Sequence, residues 1–379
     1  MLNPIESPAG TLARASGKLR VRRTVAAAAV VAAAAVTGGI ATPAFAQPAG
    51  PPAPVPVSSH IVGPSRSASA ARVVAYWTRA RMLSARNADV ITSKPRAGAS
   101  GAHPAPSGPA GRVGGAAPTV GLKGGVQGAR ATAHAGAVPM TGPFGSPWTG
   151  NSHLPPATTS GKVFFTTTGN GVRENWVCSG STVNSNGKDV VFTAGHCVYG
   201  SLGGEVQGEK WHSNWAFVPD YNNGSDPYGV WTARQLWTLT NYFNNQDEGD
   251  DIGAVVMNNN SAGQHIVNVV GGQGLAWNWP ASEYVYDFGY PAAAPFNGAV
   301  LDECNGGEFN YSVYISSTME LTCNFTGGSS GGPWLMSFGG EFGYVNGVND
   351  FGYSSLPDDI FSAYFGNNAD SLYNAVAGL

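Results

Sequence analysis

The sequence predicts an all-β extracellular domain finished by one C-terminal helix. Charged residues make up only 11% of the 379-residue chain, against 42% hydrophobic. That composition, rich in Gly and aromatic residues, is a β-rich secreted protein's rather than a cytosolic helical one's. From about residue 160, short β-prone runs recur between Gly, Asn, Pro and Asp turns, the spacing of a β-sandwich or a pair of barrels. All four cysteines lie in that half, as expected of disulfides formed in an oxidising compartment.

The runs are GKVFFTTT, DVVFTAGHCVYG, WAFVPDY, DIGAVVM, HIVNVVGG, SEYVYDFGY, EFNYSVYIS, GPWLMSF and GYVNGVNDFGY. The tail NNADSLYNAVAGL breaks the pattern. Asp370 can cap a helix there that carries Leu372, Tyr373 and Val376 on one face.

Charge divides the chain. Residues 1–139 carry a net +13 and residues 140–379 a net −16, so two segments with different roles are expected. Residues 1–46 read as a secretory signal: a basic region ending in Arg22-Arg23, an apolar run from Val25 to Val36, and the small-residue site Ala44-Phe45-Ala46. The run is short for a membrane span, which needs about 20 residues, so a secreted, extracellular location is expected, with no retained anchor. Residues 47–140 are rich in Pro, Ala and Gly and bury too little to fold alone. Within them, residues 67–90 form a basic amphipathic pattern, with Val73, Val74, Tyr76, Trp77, Met82 and Leu83 at roughly helical spacing. This is read as a pro-segment that docks on the acidic domain, residues 141–379, and acts as its own intramolecular inhibitor. Opposite charge would steer that docking. A nucleic-acid partner is not expected, because the acidic domain would repel phosphate.

Proximity along the chain favours the pairs Cys178–Cys197 and Cys304–Cys323. Each would contribute about 3 kcal/mol through loop closure. No Cys-x-x-Cys pair supports zinc. The acidic stretches PDYNNGSDPYG and NNQDEGDD hold oxygen ligands, but without an EF-hand spacing they read as solvated turns. No metal or other cofactor is expected.

The chemistry concentrates in CNFTGGSSGGPWLM, residues 323–336. Gly328-Ser329-Ser330-Gly331-Gly332 fits a nucleophile elbow, but that fold places the histidine after the serine. The last histidine here is His265. An Asp-His-Ser order would rest on Asp189, which no motif supports. In the remaining order, His-Asp-Ser, His196 stands out from His153, His212 and His265. It ends a hydrophobic strand and its neighbour Cys197 can clamp the loop.

TAGHC, DDIGAVV and GGSSGGPW resemble, in order and spacing, the signature blocks of chymotrypsin-like serine endopeptidases. The resemblance covers about residues 160–375 and is closest to bacterial trypsin-like and glutamyl-endopeptidase-like enzymes. It implies two packed antiparallel six-stranded β-barrels, a cleft between them, a C-terminal helix, and protein or peptide substrates. It also implies His196 as general base, Asp251 as orienting acid with Asp250 the alternative, and Ser330 as nucleophile. The backbone N–H groups of Gly328 and Ser330 would form the oxyanion hole. Two departures matter. Ser329 stands where trypsin-like zymogens carry an aspartate that pairs with the new N-terminus. Asn324 stands six residues before the nucleophile, so a preference for Lys or Arg is not supported. The pocket strand NGVNDFGY lacks the histidine of glutamyl-specific relatives. Its Asp350 is read either as a contact for a basic side chain or as a solvated loop acid. A retired scaffold that only binds, and an esterase, are the alternative functions.

Overall fold

The computed structural model describes residues 53–62, 66–88, 91–92, 106–120, 142–169, 172–200, 210–308, 310–311 and 317–379. The expected signal, residues 1–46, lies outside them.

Six antiparallel strands close into a barrel. In order around it they are Trp231–Leu239, Ser213–Pro219, Ser160–Gly169, Val172–Val183, Val190–Ala194 and Ile252–Met257, which pairs back with Trp231–Leu239. Closure gives each of these six strands a barrel neighbour on both sides, but Gln235–Leu239 extends past Ser213–Pro219 and keeps an edge that another strand can take. The strands are rich in Val, Thr, Phe and Trp, residues that fit a pleated, packed surface. Phe164, Phe192, Leu236 and Val255 are fully buried.

A second half, drawn mostly from the chain after residue 270 with short strands from the N-terminal side, comprises two sheets around a second core. A seven-stranded sheet has the order Gly111–Val113, Gly274–Trp277, Tyr344–Val348, Pro333–Met336, Tyr284–Gly289, Asp302–Glu308, Gly142–Pro147. A five-stranded sheet runs Asn310–Tyr311, Thr318–Thr322, Leu356–Ala363, Phe351–Tyr353, Ile91–Thr92. Val285 and Trp334 from the first meet Met319 and Ile360 from the second. The Cys304–Cys323 disulfide joins a strand of one sheet to the end of a strand in the other.

The C-terminal helix is Asn367–Val376, with Leu372 and Val376 buried against the first barrel's core. Asp370 is not its cap. Asn368 Oδ1 accepts the Gly366 and Ala369 N–H groups, and Asp370 lies inside the first turn, bonded to Asn374. The run HIVNVVGG is likewise not a strand but a short helix, Ile266–Val270. A short apolar run buried on nearly all sides has no period that distinguishes the two.

The described parts of residues 47–140 are ordered by partners they cannot supply themselves. Val57–Ile61 pairs with Trp231–Leu239, and Gly111–Val113 with Gly274–Trp277. The basic stretch expected as one helix is two, Arg66–Tyr76 and Arg79–Ser84. The break turns Trp77 inward, where its Nε1–H donates to Asn214 O at 2.6 Å. Thr78 Oγ1 caps the second helix by accepting from Arg81 N. Val73, Trp77 and Met82 join the first barrel's core, whereas Val74 and Leu83 stay exposed.

Candidate active site

His196 follows the buried strand Val190–Ala194, in the turn Gly195–Cys197. The neighbouring strand Ile252–Met257 pairs Ile252 with Ala194. That register delivers Asp251, the residue before the strand, to the histidine. Asp251 Oδ1 accepts His196 N at 2.7 Å, and Oδ2 meets His196 Nδ1 at 2.8 Å. An ionised carboxylate only accepts hydrogen bonds, so Nδ1–H is the donor; in the neutral ring that arrangement puts the lone pair on Nε2, as a general base requires. Gly195 allows this approach, since a Cβ there would fall 2.8 Å from Asp251 Oδ1.

Asp250 is committed elsewhere. It accepts from Asn241 Nδ2 at 2.8 Å and from Asn368 Nδ2 at 3.0 Å, tying the loop to the C-terminal helix.

The loop carrying Ser329 and Ser330 is hydrogen-bonded to the first barrel. Ser330 O accepts from Ser179 N at 2.7 Å and lies 3.6 Å from Cys197 Sγ. Ser179 Oγ donates to Gly328 O and accepts from Tyr290 N, each at 2.9 Å. Cys178 and Cys197 form the disulfide between the strand before Ser179 and the turn of His196. The geometry separates the two serines. Ser329 Oγ turns back to Thr326 O at 2.9 Å, whereas Ser330 Oγ and Gly328 N both donate to the carbonyl of Ala88, at 3.3 and 3.4 Å. Gly328 has φ +100, a left-handed conformation that aims its N–H at that carbonyl and that a side chain would oppose. His196 Nε2 is buried with no hydrogen-bond partner among the described residues.

Two supporting residues carried no motif in the sequence. Ser179 is one. The other is His212, whose Nε2 donates to His196 O at 2.9 Å and whose ring stacks on Phe165 at 4.3 Å. Burial pushes His212 down to about 3, so it is neutral at ordinary pH. The remaining candidates lie apart. His265 Nδ1 pairs with Asp189 Oδ2 at 2.8 Å, and His153 sits in an exposed loop.

A pocket of about 160 Å³ opens beside Ser330, lined by Thr326, Gly327, Phe351, Tyr353 and Ile360 among others. Asn324 is not on it; its Oδ1 accepts Gly145 N at 2.7 Å. Asp350 borders the pocket but is buried rather than solvated, and its carboxylate accepts Ala363 N. Burial and then the nearby Asp251 hold its carboxyl well above the usual range.

Among the described residues, one group of three potential metal ligands gathers, Cys178, His196 and Cys197. Its two sulfurs are bonded to each other, so it does not fit a metal. Asp247, in an acidic stretch, caps Gly249 N at 2.9 Å as a turn residue does.

The fold and site can be set beside solved structures. The protease Anisep from Arthrobacter nicotinovorans is 39% identical, with a TM-score of 0.53, over 59% of this chain and 97% of that one. The chain belongs to the serine protease family. A thermostable serine protease, AL20, from an extremophilic microorganism is 37% identical with a TM-score of 0.53, over 58% of this chain and 97% of that one. As a chymotrypsin-like serine protease, the chain has the mostly β architecture that the signature blocks implied. It also matches an extracellular metalloprotease of Bacillus subtilis, 33% identical over 81 residues, which are 21% of this chain. That match spans 23% of the curated relative's length, about a quarter. No family model matches the sequence.

Proposed function

We propose that the chain is a secreted serine endopeptidase that works through His196, Asp251 and Ser330 and an acyl-enzyme. The single observation that carries this reading is the two-point contact of Asp251 with His196, which leaves Nε2 free of any hydrogen bond among the described residues and able to act as a base. Ser330 Oγ attacks the peptide carbonyl as His196 Nε2 takes its proton. The oxyanion forms against Gly328 N–H and Ser330 N–H. The tetrahedral intermediate collapses, the C–N bond breaks, and His196 gives its proton to the leaving amine. Water, deprotonated by the same imidazole, then hydrolyses the ester and restores the serine. Asp251 holds the ring and stabilises the imidazolium.

In this reading, residues 1–46 are removed on export, residues 47–140 are an inhibitory pro-segment, and residues 141–379 are the protease. The burial of Val73, Trp77 and Met82 in the first barrel's core supports intramolecular docking. The test is cleavage of casein by processed enzyme carrying Ser330→Ala or Ser329→Ala. The first change should lower kcat by at least about a thousandfold, and the second should leave most activity. Retained activity in the Ser330→Ala enzyme would overturn the assignment.

A further inference from the structure

We propose that the segment around Ala88 crosses the active-site cleft with its backbone running opposite to a substrate, a stopper that the enzyme cannot cleave at the point it occupies. The proposal rests on the endopeptidase reading and specifies how the pro-segment silences that site.

Ala88 is fully buried, and its carbonyl receives both Gly328 N–H and the Ser330 hydroxyl. It therefore fills the oxyanion position. Its own N–H donates to Val177 O at 3.0 Å. Just before it, Arg86 and Asn87 pair with Trp176 and Val177 in parallel. Beyond it, Ile91 and Thr92 pair with Gly352 and Tyr353, again in parallel. The chain thus enters along the first barrel and leaves along the five-stranded sheet.

Chemistry fixes the polarity that a cleavable peptide needs. The leaving amine takes its proton from His196. His196 belongs to the first barrel, and the Cys197–Cys178 disulfide ties its turn to the strand Val172–Val183 beside Val177. Residues after a scissile bond must therefore run along that strand. Here the residues before Ala88 run along it, and Ile91 and Thr92 after it join the five-stranded sheet. The hydroxyl of Ser330 is also diverted. It donates to the Ala88 carbonyl oxygen rather than to His196 Nε2, which is left without a partner among the described residues. A serine held this way is not poised to attack.

The stopper is anchored at several points. Arg86 pairs with Glu174 at 2.8 Å and lies over the Trp176 ring at 4.7 Å. Tyr76 Oη donates to Asn175 Oδ1 at 2.8 Å, and Val57–Ile61 adds a strand to the first barrel's sheet.

The test uses the full chain. Its rate of labelling by a fluorophosphonate is compared with that of the processed enzyme, and its processing products are mapped by mass spectrometry. The full chain should label at least tenfold more slowly. No product should arise by direct cleavage of the Ala88–Asp89 bond within an intact chain. Ala88→Trp, too large for its buried place, and the milder Arg86→Ala should each speed labelling of the full chain. Cleavage at Ala88–Asp89 in the wild-type chain but not in a Ser330→Ala chain would overturn the reversed polarity, whether or not the variants fold. So would a full chain that labels as fast as active processed enzyme. A processed enzyme that neither labels nor cleaves casein would overturn the endopeptidase reading, and this proposal with it.

Discussion

Asp251 and Asp250 are adjacent, chemically identical and both hydrogen-bonded, yet only one reaches the histidine. The difference is register: the residue that starts the Ile252–Met257 strand is held opposite the end of Val190–Ala194. Asp251→Asn should therefore lower kcat by about three to four orders of magnitude, whereas Asp250→Asn should mainly loosen the C-terminal helix; steady-state kinetics on a peptide substrate separates the two. Gly328→Ala tests the backbone itself. A Cβ at φ +100 would lie 2.8 Å from Ala292 Cβ, and displacing one oxyanion donor should cost about a hundredfold in kcat. Asp220 tests the pH dependence of stability. Burial raises its carboxyl to about 7 in the folded chain. Its contribution is fully present below the usual carboxylate range and is lost as pH rises through about 7. Asp220→Asn should raise Tm at pH 8 and leave it nearly unchanged at pH 3, and Asn suits the left-handed φ of 50 there. His196, Asp251 and Ser330 could be named from the sequence as candidates because each sits in a short block with a strand or glycine signature. Ser179 and His212 could not, because a lone serine and a lone histidine acquire their roles only through contacts far along the chain.

At the scale of elements, strands with β-branched and aromatic residues between turn residues were readable, and the first barrel follows from them. The helix Ile266–Val270 was not, since a run this short and buried carries no period. The C-terminal helix was visible from Leu372, Tyr373 and Val376, though its start was misplaced: it begins at Asn367 after Gly366, so Asp370 falls inside the first turn. Leu372 is fully buried, so Leu372→Ala should destabilise the fold by about 2–5 kcal/mol. Urea titration would show this as a lower midpoint with unchanged kcat in the remaining folded enzyme. The basic stretch of residues 67–90 announced its apolar residues but not its break, which exists because Trp77 must turn inward to reach Asn214 O.

At the scale of the molecule, two folded halves hold one site. His196 and Asp251 lie in the first and Ser330 in the second, and the Ser179 N–H and hydroxyl bond across to Ser330 O and Gly328 O. The composition of residues 47–140 gave no sign of how far they are woven in, because their partners are sheet edges and apolar surface formed only by the folded domain. Under the proposed stopper, latency would rest on the segment around Ala88, since Ser329 stands where an aspartate would sense a new N-terminus. The most direct measurement of the central claim is peptide mapping of processed, casein-cleaving enzyme after reaction with a fluorophosphonate. The account predicts one adduct, on Ser330, abolished by His196→Ala. An adduct on Ser329, or full proteolytic activity with no adduct on Ser330, would contradict it.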